Sequence, residues 1–161
     1  MKALSIKQPY AWLICVGYKD IENRDWRIGR KPALGGTFKD RGLELPARVY
    51  VHAGKTPDAM WPAMDLIKRL HGESDSAIIW KNFVHYTVSA GQSIVFPSAN
   101  KSLIIGEVDI TGCVTESNSP WFVGKYGFTL ANPKLYDKPI PYRGQLGFFE
   151  VTLPNTQEVK S

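Results

Sequence analysis

The run Gly17-Tyr18-Lys19-Asp20-Ile21-Glu22-Asn23-Arg24 brings together three side chains with complementary hydrogen-bonding chemistry. Lys19 donates from a compact ammonium, Arg24 donates from a planar fork, and the ionised carboxylate of Glu22 only accepts. Such groups beside one helix end can line a polar cleft for an anionic or base-like ligand. If the chain is an enzyme, Lys19 and Glu22 are the catalytic candidates, because hydrolysis needs a base and a polarising donor beside one water.

A strand and a short helix are predicted just before this run. Polar and apolar residues alternate over residues 2–6, Pro9 suits the first turn of a helix, and Gly17 suits the left-handed stop after it. The run then continues as a strand with Glu22 and Arg24 on one face. Two interpretations stay open and are compatible: Glu22 pairs with Arg24 to fix the strand, or Glu22 accepts from a ligand.

The rest of the chain predicts further strands with helices between them. Thr56-Pro57-Asp58 is typical of a helix start, and a second helix is predicted over residues 75–85. Together the two helices predict a helical insertion at about 57–85. Its apolar residues at helical spacing, which predict a buried face, are Met60, Met64, Ile67 and Leu70. Strands are predicted over residues 47–53, 101–114, 126–130 and 145–153. This order predicts an α+β fold, a small mixed β-barrel with flanking helices in one domain over residues 1–161.

Aromatic and hydroxyl side chains extend the candidate ligand site beyond the run. Polar and small neighbours surround Trp26 and Trp121, and a base stacked on an aromatic ring contributes about 1–3 kcal/mol. Core packing explains these rings equally well. Ser119 lies in a polar loop that either contacts a ligand or forms an ordinary turn. The full set of candidate ligand-binding residues is Lys19, Glu22, Arg24, Trp26, Ser119, Trp121 and Tyr126.

A basic segment and one histidine complete the candidates. Residues 28–46 are rich in Gly, Pro, Lys and Arg and predict a surface loop. The cations in and beside this loop are Arg27, Arg30, Lys31, Lys39 and Arg41. They form either a solvated loop or a flap that contacts phosphates. His52 ends a predicted strand, where it is either structural or an acid–base group near neutral pH. The net charge of +5 permits a polyanionic partner without requiring one.

Composition excludes several classes of protein and site. A chain of 161 residues that is 43% hydrophobic fits a globular domain with a sizeable core. Cys15 and Cys113 have no metal-ligand spacing, so neither a metal nor another cofactor is predicted, and a reducing, cytoplasmic location is expected. No apolar stretch approaches the roughly 18 residues of a membrane span, so no membrane partner is expected.

These features together resemble the ASCH (activating-signal-cointegrator homology) domain of the PUA-like superfamily, over nearly the whole chain. Gly17, Lys19, Glu22 and Arg24 match the family's GxKxxExR motif at every fixed position. The segments at residues 4–11, 119–128 and 143–151 are similar to blocks found in the family or in one subgroup. The resemblance implies a PUA-like barrel of five or six strands, with a cleft between barrel and first helix that the motif residues line.

The resemblance also implies a class of ligand. Family members are proposed to bind RNA, and some bind or act on nucleic acid, so a nucleotide or base in the Lys19–Glu22–Arg24 cleft is predicted, with RNA favoured over DNA. A small bacterial branch hydrolyses acylated cytidine nucleosides with a Thr three residues after the motif lysine, where this chain has Glu22. The prediction is thus a nucleic-acid-binding module. The alternatives are a hydrolase acting on RNA or on a modified nucleoside such as an acylated cytidine, and an interaction domain with a vestigial cleft.

Overall fold

A computed structural model describes residues 1–28, 43–93 and 100–154. Most of the predicted loop over residues 28–46, including Arg30, Lys31, Lys39 and Arg41, lies outside the described residues. The strands are β1 (Lys2–Ile6), β2 (Ile21–Arg24), β3 (Ala47–Ala53), β4 (Leu103–Val114), β5 (Tyr126–Pro141) and β6 (Phe148–Glu150). The helices are α1 (Tyr10–Cys15), α2 (Trp61–His71) and α3 (Glu73–Ser89). None of these helices is both long and apolar enough to cross a bilayer.

The six strands form one mixed sheet in the order β2-β5-β4-β3-β1-β6. β1 and β3 are parallel, and every other neighbouring pair is antiparallel. The α+β class is therefore confirmed, and the sheet is a six-stranded half-barrel beside three helices.

The sheet curls strongly, so that its two ends approach each other. Phe148 of β6 stacks on Phe128 of β5 with ring centroids 6.1 Å apart, although three strands separate β5 from β6 in the sheet. Register shifts between β4 and β5 account for part of this curvature, because bulges increase local twist. At one of them a Cβ on Gly106 would lie 2.1 Å from the carbonyl oxygen of Lys134, so only glycine fits there.

Helix α1 places the motif against the sheet. Its residues Ala11, Trp12, Leu13, Ile14 and Cys15 are all buried. Gly17 adopts φ of 89°, the left-handed stop predicted from the sequence. The carbonyl of Leu13 then accepts from the backbone N–H groups of Tyr18 (2.9 Å) and Lys19 (3.1 Å), which turns the chain into β2.

The helix predicted to begin at Thr56-Pro57-Asp58 begins instead at Trp61. The backbone N–H of Asp58 donates to the carbonyl of Gln8 (2.7 Å), which ties this segment to the start of α1. Pro62 then occupies the first turn of α2, a position that its missing N–H suits. The prediction of this helix start was therefore wrong by four residues, because a tertiary contact holds Asp58 outside the helix.

The predicted buried face of this helix is only partly right. Ile67 is fully buried, but Met64 and Leu70 are 43% and 44% exposed. Ala63 completes the buried face of α2, since i and i+4 residues lie one turn apart on the same side.

Two of the predicted strands differ in length from those observed. β5 continues to Pro141, well past the predicted end at residue 130, and β6 covers only Phe148–Glu150 of the predicted 145–153. Asn132, with φ of 49°, and Pro133 lie within this longer strand, where register shifts between β4 and β5 accommodate them.

Candidate functional site

A cleft of about 900 Å³ lies where β1, β2, α1, α2 and the segment 120–123 meet. Lys19, Glu22 and Arg24 contribute its charged wall. Tyr10, Leu66 and Trp121 contribute apolar surface to the same cleft. The cleft therefore combines a fixed charge cluster with aromatic rings, which is the composition typical of small-molecule sites.

Lys19 lies in the cleft wall but is almost fully buried, and its ammonium is engaged with the protein. Its ammonium lies 2.9 Å from Oε2 of Glu22, and the two side chains are only 3% and 9% exposed. The same ammonium donates to the carbonyl of Ile21 and lies 5.6 Å from the ring centroid of Tyr10. Lys19 therefore positions the carboxylate of Glu22, and little of its donor capacity faces the cleft.

Arg24 is the more available donor of the cluster. Its Nη2 lies 3.1 Å from Oε1 of Glu22 and donates to the carbonyl oxygen of Ser5 (2.6 Å), which braces one arm of the guanidinium. Its Nε is buried and has no hydrogen-bond partner in the described part of the chain. An unpaired buried donor costs about 1–3 kcal/mol. The exposed part of the side chain, 19% of its surface, is what a ligand in the cleft can contact.

Asn23 fixes the opposite wall of the cleft. Its Nδ2 donates to the carbonyl of Trp121 (2.8 Å), and its Oδ1 accepts from the backbone N–H of Val123 (3.0 Å). The ring of Trp121 is 5% exposed and meets Tyr10 edge-on, with centroids 6.5 Å apart. The two rings therefore form a rigid wall rather than an open stacking platform.

The hydroxyl of Tyr10 is suited to a hydrogen bond with an uncharged group of a ligand. Burial raises the pKa of Tyr10, and the carboxylates of Asp58 and Glu22 raise it further. The phenol therefore stays protonated near neutral pH and can donate or accept. Sequence reasoning gave Tyr10 no specific role and missed Asn23, although Asn23 lies inside the motif itself.

Four of the seven predicted ligand-binding residues line the same cleft: Lys19, Glu22, Arg24 and Trp121. The other three are Trp26, Ser119 and Tyr126, and they lie outside its lining. Trp26 packs edge-on against Phe128 and Phe148, with centroids 5.2 Å and 5.6 Å away, so its partly buried ring lies against the core of the half-barrel.

Ser119 and Tyr126 have structural contacts. The hydroxyl of Ser119 donates to Oδ1 of Asp20 (2.5 Å) and accepts from the backbone N–H of Trp121 (3.2 Å). Tyr126 opens β5 and pairs with Arg24 across the β2–β5 ladder. Ser119 therefore shapes the turn before Trp121.

A second cavity of about 970 Å³ adjoins the cleft, and Ser5, Gly54 and Leu146 line both. His52, which is 1% exposed, forms part of its wall. Its Nε2 lies 3.0 Å from the carbonyl oxygen of Tyr142, and its Nδ1 lies 2.9 Å from Oγ of Ser5. Because a carbonyl only accepts, Nε2 carries the proton in the neutral ring and the hydroxyl of Ser5 donates to Nδ1. Burial lowers the pKa of His52, which favours this neutral form.

Gly144 packs directly on the His52 ring. A Cβ at this position would lie 2.1 Å from Cε1 of His52 and within 2.8 Å of both ring nitrogens. The backbone of the 142–145 segment thus rests on the imidazole.

Within the described ranges, no group of three His, Cys, Asp or Glu side chains is placed to hold a metal ion. Comparison with models of protein families and with curated proteins finds no match. The resemblance to ASCH domains therefore stays a prediction.

Proposed function

We propose that this protein is a nucleic-acid-binding module of PUA-like, ASCH-like type that holds a nucleotide or base in the Lys19–Glu22–Arg24 cleft. RNA is favoured over DNA. The observation that carries the proposal is the guanidinium of Arg24, which Glu22 and the Ser5 carbonyl hold in place and which lines a cleft of about 900 Å³.

The three charged residues have different roles in this proposal. Lys19 holds the carboxylate of Glu22, and Glu22 with the Ser5 carbonyl holds the guanidinium of Arg24. Arg24 then donates to an oxygen or ring nitrogen of the ligand, such as a phosphate oxygen or a base acceptor. Because its fork is braced before the ligand arrives, little side-chain entropy is lost on binding.

The rest of the cleft suits a nucleoside. Tyr10 and Trp121 supply an apolar wall for the base or sugar, and Tyr10 keeps a neutral hydroxyl for one hydrogen bond. The cleft volume lies within the range of about 300–1,000 Å³ that is usual for small-molecule sites. A cytoplasmic location belongs to the proposal and is supported by Cys15 and Cys113, both unpaired thiols.

Titration of the protein with nucleoside 5′-monophosphates and with single-stranded RNA and DNA tests the proposal, with binding followed by tryptophan fluorescence and calorimetry. Arg24→Gln keeps a side chain of similar length and removes the charged fork. We expect it to weaken nucleotide binding at least tenfold, since a hydrogen bond to a charged group is worth about 1.5–3 kcal/mol. Lys125→Gln, which neutralises an exposed cation outside the cleft, is the matched control. No binding at low salt, or equal binding by both variants, would reject the proposal.

A second candidate function is hydrolysis of RNA or of a modified nucleoside such as an acylated cytidine. Lys19 and Glu22 are poor catalysts for it, because they are paired with each other and almost fully buried in the cleft wall. The observation that favours hydrolysis is the contact between Ser5 and His52 at the junction of the two cavities. A serine hydroxyl that donates to a neutral imidazole, itself oriented by the Tyr142 carbonyl, has the arrangement of a nucleophile and its base.

An assay with acylated cytidines and single-stranded RNA, with and without divalent metal, separates the two candidates. Turnover that Ser5→Ala abolishes while nucleotide binding persists would establish hydrolysis at the Ser5–His52 pair. Turnover that Ser5→Ala keeps and that Glu22→Gln abolishes, in Glu22→Gln protein whose circular dichroism spectrum shows that it stays folded, would instead assign the catalytic role to Glu22. Binding without turnover in every assay would leave the binding module as the function.

A further inference from the structure

The second cavity has cationic side chains and no acidic ones in its lining, whereas the cleft beside it has both. Lys55, Lys101 and Arg143 line it, and all three are exposed. In the described part of the chain none of the three has a salt-bridge partner, and no Asp or Glu lines this cavity. The cleft, by contrast, mixes both signs, because Glu22 and Asp58 line it together with Lys7, Lys19, Arg24 and Arg69. The second cavity therefore differs from the cleft in lacking carboxylates, which would repel a phosphate.

The backbone that carries these cations is fixed by buried polar side chains. Asn100, which is 7% exposed, donates to the carbonyl of Lys55 (2.8 Å). Gln92, which is 4% exposed, donates to the carbonyl of Lys101 (3.1 Å). These two side chains hold the backbone of both lysines in place, so the position from which each lysine side chain extends is defined.

Arg143 is held by its neighbour Tyr142. The carbonyl of Tyr142 accepts from Nε2 of His52 (3.0 Å) and from the hydroxyl of Ser102 (2.9 Å), and its backbone N–H donates to the carbonyl of Ser102 (3.1 Å). Gly144 then packs on the His52 ring. Three polar contacts and one close backbone approach thus position Arg143, which leaves its exposed guanidinium available to a ligand.

The two cavities form one continuous surface. Ser5, Gly54 and Leu146 belong to both, so a ligand seated in the cleft can extend past these residues into the cationic cavity. Unpaired cations on a fixed backbone suit phosphate oxygens, whereas a cleft with carboxylates and aromatic rings suits a base or sugar.

We propose that the cavity of Lys55, Lys101 and Arg143 binds the backbone phosphates of a single nucleic-acid strand, one nucleotide of which occupies the cleft. The ligand is then a strand rather than a free nucleotide. A single strand fits better than a duplex, because a base can enter a cleft only when it is unpaired. This inference rests on the proposed function and identifies its substrate class.

The test compares a nucleoside 5′-monophosphate with a fluorescein-labelled single-stranded RNA of mixed sequence and about ten nucleotides, within the range of about 4–16 that single-stranded sites cover. Fluorescence anisotropy at several salt concentrations gives the affinity and its salt dependence. The variant is Lys55→Gln, Lys101→Gln and Arg143→Gln combined. The control combines Lys81→Gln, Lys125→Gln and Lys138→Gln, which removes the same charge from exposed lysines outside both cavities.

The wild-type protein should bind the strand more tightly than the monophosphate. The cavity variant should lose this extra affinity for the strand. Its plot of log affinity against log salt concentration should be less steep by about 2, because each phosphate contact on a single strand contributes about 0.7 to the slope. It should bind the monophosphate as the wild type does, and the control should keep the full slope. An unchanged slope in the cavity variant, or an equal loss in the control, would overturn the inference.

The same data separate this inference from the proposed function. If Arg24→Gln weakens monophosphate binding but the cavity variant binds the strand normally, the cleft is a nucleotide site and the inference alone fails. If Arg24→Gln has no effect on the monophosphate, the proposed function fails. If the duplex form of the RNA binds as tightly as the single strand, the strand assignment is wrong.

Discussion

The ammonium of Lys19 and Oε2 of Glu22 lie 2.9 Å apart, and both side chains are almost fully buried. Glu22 uses its other oxygen to hold Arg24 at 3.1 Å, so one carboxylate pairs with two cations. Because its removal would leave a buried ammonium with only neutral partners, this carboxylate holds the site together.

Glu22→Gln should destabilise the fold strongly. Removing one partner of a buried ion pair leaves an uncompensated charge, which costs about 3–5 kcal/mol. Urea denaturation measures the change in the free energy of unfolding. The control is Glu73→Gln, because Glu73 pairs with Lys68 at the surface, where such a pair contributes about 0–1 kcal/mol. Equal losses in the two variants would show that Lys19 does not depend on Glu22.

Gly144→Ala should destabilise the wall of the cationic cavity. The added methyl would lie 2.1 Å from Cε1 of His52, so the 142–145 segment or the ring must move, and such overpacking costs about 1–3 kcal/mol. Thermal unfolding measures the loss. Gly54→Ala is the matched control, because a Cβ there meets nothing within 4 Å. A Gly144→Ala protein as stable as the control would mean that this segment does not rest on His52.

Stability should fall as the pH drops through the range in which histidine titrates. Burial lowers the pKa of His52 below its usual 6.5, so below that pH the unfolded chain binds a proton that the folded chain resists. The free energy of unfolding at about pH 7.5 and about pH 5.5 gives the size of the loss. The loss should shrink in His52→Gln and stay unchanged in His85→Gln, whose histidine is exposed. A His52→Gln protein with the full loss would contradict the assignment.

Oxidants and thiol reagents should distinguish the two cysteines. Cys15 is 3% exposed inside α1, and burial raises the pKa of its thiol well above the usual range. Only the thiolate reacts readily, so the native protein should show one reactive thiol, Cys113, and Cys113→Ser should show none. Both thiols should react in denaturant. A fast-reacting Cys15 in the native Cys113→Ser protein would show that α1 opens easily.

The sequence predicted the elements around the motif well, because local signals determine them. Alternation in Lys2–Ile6, Pro9 before α1 and Gly17 after it are short-range features, and the structure has the strand and helix where they predict them. The shared face of Glu22 and Arg24 followed from the two-residue period of a strand, and their ion pair confirms it.

What the sequence could not show depends on tertiary contacts. Asp58 has the pattern of a helix start, but its bond to the carbonyl of Gln8 delays α2 until Trp61. Trp26 has polar neighbours in the chain, yet the curled sheet brings it between Phe128 and Phe148. Ser5 and His52 lie on different strands and are 47 residues apart in the chain, so no local pattern in the sequence predicts their hydrogen bond.

The Nε–H signal of Arg24 reports directly on a nucleotide bound at this guanidinium. The Nε is buried and has no partner in the described chain, so a change in its resonance reports a ligand on the exposed part of the same guanidinium. A ¹⁵N-labelled protein, with the signal assigned through Arg24→Lys, should show a saturable shift of this resonance as a nucleoside 5′-monophosphate is added, while the Nε–H signal of Arg48 stays in place. Nucleotide binding with no change at Arg24, or no binding at all, would contradict the account.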